Sequence, residues 1–285
     1  MTLTEDLISQ DSEQDVTRLL LSMQEIIATI RYISGLILTF AIFQHFPSHD
    51  LECPHPMCDD QLVTHCNQVW LDKVVRSRAL HMIVTSSASS VIEVEPELQG
   101  NLVLALDPLS LSPGAGGLAT SSFAVWRRAP TSLEDPEDHS SVLRPSDQLC
   151  VGGLAVFGHQ TRVILAGRGG VSEYILDRRL GGLVTSPTPS QPQSSDPRPL
   201  IRSLPRSESS VNSELSELVS RATSRLSSSI SEVVTSRTGL AGVDCLGVIT
   251  QGGLWLSDGL GLLYHATPLA LIGWHKKLDK NNNNR

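Results

Sequence analysis

Cys53, His55, Cys58, His65 and Cys66 bring five metal-ligating side chains into one short stretch. Thiolate and imidazole are the donors zinc takes. The spacing, C-x-H-x-x-C followed by an adjacent His-Cys pair, is not that of a standard zinc knuckle. Free cysteine ordinarily packs as a small apolar residue, so burial is the preferred reading. Gly114, Gly116 and Gly117 match neither a phosphate-binding loop nor a dinucleotide fingerprint and read as a turn. Asp107 closes an apolar strand-like run, NLVLALD, just before Pro108. A carboxylate there is suited to capping a turn. Arg237 suits the negative C-terminal end of a helix.

The elements that would carry these residues follow from periodicity. Val16, Leu19, Leu20, Met23, Ile26, Ile27, Ile30, Ile33 and Ile37 keep a 3.6-residue rhythm. They predict an amphipathic helix that starts near Ser12, with Pro47 closing any continuation. A second helix is expected over residues 61–78. Strands are expected at 80–85, 101–107, 122–127, 153–157, 162–166 and 171–176, separated by Gly- and Pro-containing turns. Strands that follow one another without intervening helices favour an antiparallel or mixed sheet covered by helices. The run SPTPSQPQSSDPRP opens a Pro/Ser-rich linker with little apolar surface to pack. A helix at residues 212–234 and strands at 245–250 and 253–256 complete the reading. The expected organisation is an N-terminal region 1–184, a linker 185–210, a C-terminal region 211–275 and a polar tail 276–285.

Composition bounds the function. The chain has 285 residues, 40 % of them apolar and only 4 % aromatic, so its core must be largely aliphatic. A net charge of −8 argues against nucleic acid as a partner, because phosphate backbones need a basic surface. Five unevenly spaced cysteines fit a reducing compartment better than a disulfide framework. The acidic N-terminus lacks the basic start and apolar run of a secretory signal. The longest continuous apolar run, residues 33–43, is too short to span a bilayer. A cytoplasmic protein without a membrane partner is expected.

Four segments, in order, resemble class I fructose-1,6-bisphosphatases. They are TRLLLSMQEIIATI (17–30); SSASSVIEV with the following GNLVLALDPLSLS and SSFAVWRR (86–128); GGLAVFGHQTRVILAGRGGVSEYILDRRLGGLV (152–184); and QGGLWLSDGLGLLYHATPLALI (251–272). The second is similar to the family's strand ending in D-P-L-D-G-S-S, and the last to its L-L-Y-E segment. The resemblance implies an α/β (α+β) fold, a layered αβαβα sandwich with mixed sheets. It also implies assembly as a homo-oligomer, or as a hetero-oligomer with an active family member.

The family's chemistry uses divalent cations, usually Mg²⁺, which want carboxylate oxygens. Its Glu-Glu ligand pair corresponds to Ser86 and Ser87, and its second D-P-L-D aspartate to Ser110. The glutamate of L-L-Y-E corresponds to His265, a poor Mg²⁺ ligand. The aspartate the family carries earlier falls near Val63 to His65, where there is no carboxylate. Asp107 alone remains as a metal remnant. The phosphate-facing G-S-S reads Leu111, Ser112, Pro113, and proline offers no N–H. Arg237 is the substrate-binding remnant. Thr17 and Arg127 are remnants of a nucleotide site whose Lys-Tyr pair reads Asn101-Leu102.

These replacements predict a catalytically inactive pseudophosphatase, structural or regulatory in an oligomer, with no cofactor; if the chain were active, Mg²⁺ would be required. The alternative is a weak or altered metal-dependent sugar-phosphate phosphatase of carbohydrate metabolism. Such a site would gather Asp107, His265 and Glu93 or Glu95 around another metal.

Overall fold

A 33-residue helix, α1 (Glu13–His45), lays Val16, Leu19, Met23, Ile26, Ile30 and Ile33 against the core, each at most 7 % exposed. Thr17, Leu21, Gln24, Arg31 and Tyr32 occupy the opposite, exposed face. Burial thus repeats with the helical period read from the sequence. The stretch Val16–Thr39 is long and apolar enough to cross a bilayer by length and composition. Here its apolar stripe packs into the protein core.

The structure is a computed structural model that describes residues 13–45, 59–85, 87–88, 90–111, 118–128, 149–167, 170–186, 200–203, 233–236, 241–251 and 254–256.

Helix α2 (Asp59–Val75) packs beside α1 and contributes Leu62, Cys66, Trp70 and Val74 to the same core. It ends three residues before the expected Arg78, which takes a left-handed φ of 52° and turns the chain out of the helix. Eight strands follow: β1 (Leu80–Thr85), β2 (Ile92–Glu93), β3 (Leu102–Leu111), β4 (Ala119–Arg127), β5 (Leu149–Phe157), β6 (Arg162–Gly167), β7 (Gly170–Asp177) and β8 (Gly182–Thr185). They form one sheet in the order β2-β1-β3-β4-β5-β6-β7-β8. β1 and β3 run parallel and every other neighbouring pair is antiparallel, so the sheet is mixed, as expected. The short edge strands β2 and β8 were not visible in the sequence pattern.

The two faces of this sheet bury different residues. Leu104, Leu106, Phe123, Val125, Val151 and Val163 face α1 and α2. Their neighbours Ala105, Ala124, Trp126, Leu154 and Ile164 form a second cluster with Cys245 of helix α3 (Ala241–Gln251). Fully burying each aliphatic or aromatic side chain contributes about 1.5–3 kcal/mol. Gly153 is required by this packing, because a methyl there would overlap the ring of its cross-strand partner Phe123. Helix α3 also touches a small parallel sheet of β9 (Leu200–Ser203), β10 (Val233–Ser236) and β11 (Leu254–Leu256), ordered β10-β9-β11. The layers are therefore helices, sheet, helix, sheet among the described residues.

Several expectations are corrected. Residues 245–250 lie in helix α3, not in a strand. A short apolar run suits either period, and here Gly242, Asp244 and Cys245 are buried against the sheet. Val233 and Val234 belong to β10 instead of closing a helix, and residues 212–232 lie outside the described residues. Leu200–Ser203, inside the segment read as a linker, pairs with both β10 and β11. The strand expected to stop at Asp107 continues to Leu111.

Candidate functional site

The parallel pair β1–β3 brings two chain segments to one sheet edge. Thr85 is opposite Leu106, so Ser87 and Asp107 lie just past matched strand positions. This is the carboxyl end of parallel strands, where α/β sheets place their ligands.

Asp107 is opposite Ser122 on β4, and Ser110 is opposite Thr120. Three steps along β3 match two along β4, which is a bulge of one extra residue. Its effect appears in the burial pattern. Leu104 and Leu106 face α1 and α2, and beyond the bulge Leu109 does so. In a regular strand Asp107 and Ser110 would point to opposite faces. The bulge puts both on one face, and Ser110 Oγ donates a 2.6 Å hydrogen bond to Asp107 Oδ2. Pro108 is tolerated here because a bulge needs no ladder N–H from it. Its carbonyl accepts from buried Trp70 Nε1 of α2 at 2.9 Å and from Ser121 Oγ of β4. At the end of β1, Thr85 Oγ1 and Ser87 Oγ lie 3.1 Å apart, and the Ser87 N–H donates to Thr85 Oγ1.

A Mg²⁺ ion would need several oxygen ligands carrying negative charge. Among the described residues this corner offers one carboxylate, hydroxyl-bonded to Ser110, and neutral hydroxyls that bond one another. Nowhere among the described residues do three His, Cys, Asp or Glu side chains group as metal ligands. The residues described do not fit the ion.

The alternative set is corrected as well. Glu93 is opposite Met82, which is level with Val103, and β2 runs away from the Asp107 end. Four residues of strand put Glu93 roughly 13 Å along the sheet from Asp107, and Glu95 lies farther on. Neither reaches Asp107. Ser86, Arg237 and His265 lie outside the described residues, as do Cys53, His55, Cys58 and the three loop glycines. His65 and Cys66 diverge. His65 is exposed and shares a 3.4 Å contact with Tyr32 Oη, whereas Cys66 is fully buried. Burial pushes the Cys66 thiol up to about 12, so it stays protonated and inert.

Arg127 and Asn101, which the resemblance assigns to a nucleotide site, lie at the other end of β3. Leu102 is opposite Arg127, and the Arg128 N–H donates to Asn101 O at 2.7 Å. Thr17 is on the exposed face of α1. Five residues along, Ser22 Oγ makes a long 3.5 Å hydrogen bond to Ser77, next to this corner. His81 is buried here at 8 % exposure. Burial first, then the Arg128 charge, hold it below the ordinary histidine value of 6.5, against the opposing influence of Gln99 and Glu93.

No protein-family model matches the chain. It is 29 % identical over 120 residues to fructose-1,6-bisphosphatase 1 of Rattus norvegicus, a match covering 41 % of this chain and 32 % of that protein. It is 29 % identical over 125 residues to fructose-1,6-bisphosphatase isozyme 2 of Mus musculus, covering 40 % and 36 %. The chain is a relative of the fructose-1,6-bisphosphatases. Each match spans about a third of the curated relative's length. The fold similarity extends further. The crystal structure of apo Leishmania major fructose-1,6-bisphosphatase superposes with a TM-score of 0.67 at 19 % identity, covering 96 % of this chain and 86 % of that one. The T-state structure of the same enzyme gives 0.66 with the same coverage. The mixed eight-stranded sheet with its helices is thus the fructose-bisphosphatase-like fold expected from the sequence.

Sequence reasoning found Asp107 and Ser110 but missed Trp70 and Ser121, which hold the bulge between them. Pro108 inside an apolar run was the available signal.

Proposed function

We propose that this protein is a non-catalytic member of the fructose-1,6-bisphosphatase family, structural or regulatory in role, acting in an oligomer of its own or with an active relative. The observation that carries this reading is the Ser110–Asp107 hydrogen bond. A neutral hydroxyl holds the carboxylate at the position where the resemblance places a second aspartate. Without paired negative charge a divalent cation is not retained, and metal-assisted hydrolysis loses a contribution of several kcal/mol. Ser87 and the absent carboxylate near residues 63–65 support the same reading, as do His265 and the Leu111-Ser112-Pro113 replacement in sequence. Asp107, Arg237, Thr17 and Arg127 are on this view remnants of metal, substrate and nucleotide sites. A cytoplasmic setting fits the free, buried thiols of Cys66, Cys150 and Cys245 among the described residues.

The test is hydrolysis of fructose 1,6-bisphosphate by the purified protein with Mg²⁺ or Mn²⁺. Negligible turnover is expected. A rate of about 1 s⁻¹ or more, within the ordinary enzyme range, overturns the reading and favours the altered phosphatase.

A further inference from the structure

We propose that the open cavity between α1, α2 and the β7–β8 turn binds a small phosphate monoester or inorganic phosphate. The cavity has a volume of about 610 Å³, within the roughly 300–1,000 Å³ of small-ligand sites. Three cations line it, each from a different element: Arg31 of α1, Lys73 of α2 and Arg178 of the turn after β7. No side-chain hydrogen bond or ion pair joins any of the three to another described residue. On a chain of net charge −8, three converging cations with no carboxylate partner among the described residues form a local positive field, which a dianion relieves.

The local backbone keeps this arrangement open. Gly181 has a left-handed φ of 64°, and a Cβ on it would lie 2.8 Å from Arg31 Nη2. The guanidinium therefore rests against bare backbone, and a side chain at 181 would displace it. A Cβ on Gly35 would meet nothing within 4 Å, so that wall borders open space. The neighbouring carboxylate, Asp177, is engaged within the turn, where its Oδ1 accepts the N–H groups of Arg179 and Leu180. The Tyr32 ring, held at the rim by its contact with His65, gives a flat apolar surface for the body of an ester. This site sits on the α1/α2 side of the main sheet. Asp107 and Ser110 point to the opposite face, so the proposal stands apart from the reading of that corner.

Isothermal calorimetry and thermal melts on the full chain test it, with inorganic phosphate and phenyl phosphate against chloride at matched ionic strength. Phosphate is expected to bind and to raise Tm above chloride. Tighter binding of phenyl phosphate identifies the ester, and equal binding identifies the free anion, as the ligand. The double variant Arg31→Gln/Lys73→Gln should lose about tenfold or more in affinity for either. Arg76→Gln, an exposed cation that does not line the cavity, should bind as wild type. In chloride the double variant should melt no lower than wild type, since like charges have been removed. If it does melt lower, calorimetry well below both transitions still reads its affinity. The proposal is overturned if phosphate acts no differently from chloride, or if the double variant binds as wild type. It is equally overturned if Tm follows protein concentration and ignores phosphate, which would mean that a second copy fills the cavity.

Discussion

Ser110 Oγ donates to Asp107 Oδ2 at 2.6 Å, across three residues of one strand that ought to alternate faces. The contact exists because a one-residue bulge at Pro108-Leu109 reverses the alternation. The pair thus holds a single carboxylate, closed by a neutral hydroxyl.

Converting Ser110→Asp tests that geometry. Two carboxylates within hydrogen-bonding distance repel, so one resists ionisation. The variant should lose about 1–2 kcal/mol of stability near neutral pH without divalent ions. Mg²⁺ should recover part of that loss by binding only the folded state. Thermal melts with and without Mg²⁺ check this. Wild type should be insensitive to the ion, and an equal gain in wild type would contradict the account.

The bulge depends on one carbonyl. Trp70 Nε1 and Ser121 Oγ both donate to Pro108 O. Either Trp70→Phe or Ser121→Ala should cost about 1–2 kcal/mol, since one donor still satisfies the oxygen. Together they leave a buried carbonyl without a donor. The double variant should therefore cost more than the sum, which urea denaturation in a double-mutant cycle measures.

Glu173 is 5 % exposed and is held by Arg162, with Nη2 to Oε1 at 2.5 Å and Nε to Oε1 at 2.7 Å. Arg162→Met removes the cation paired with this buried carboxylate and should cost about 3–5 kcal/mol. The double change Arg162→Met/Glu173→Met should regain most of the loss. If the single variant melts as wild type, the pair is unimportant.

His81 gives a pH dependence of known sign. Its folded value is depressed below 6.5, so between the two values the unfolded chain binds more protons. Its contribution is therefore fully present above about pH 7 and is lost as pH falls through 6.5 towards the folded value. His81→Asn should flatten the stability profile over that acid range, as read by denaturation at several pH values. An unchanged slope would place the proton uptake elsewhere.

Much of the frame was legible in the sequence. The 3.6-residue stripe of α1 and the runs that became β1 and β3 to β7 were located by period alone, because each buries one or two full faces. Residues 245–250 were misread because a run of six apolar-rich residues suits a buried strand or a buried helix equally. β2, at two residues, has too little pattern to detect. Asp107 and Ser110 were named, but their sharing a face was hidden by the bulge, which only pairing with β4 reveals. The cavity cations, at positions 31, 73 and 178, are scattered along the chain and meet only in the fold.

The central claim is that the family's cation site no longer holds its ion. Metal content after equilibration with Mg²⁺ or Mn²⁺, measured on the same sample assayed for fructose 1,6-bisphosphate hydrolysis, tests it most directly. The account predicts no retained metal at this corner and negligible turnover. Stoichiometric metal that is lost on Asp107→Ala, together with turnover near 1 s⁻¹, would contradict it.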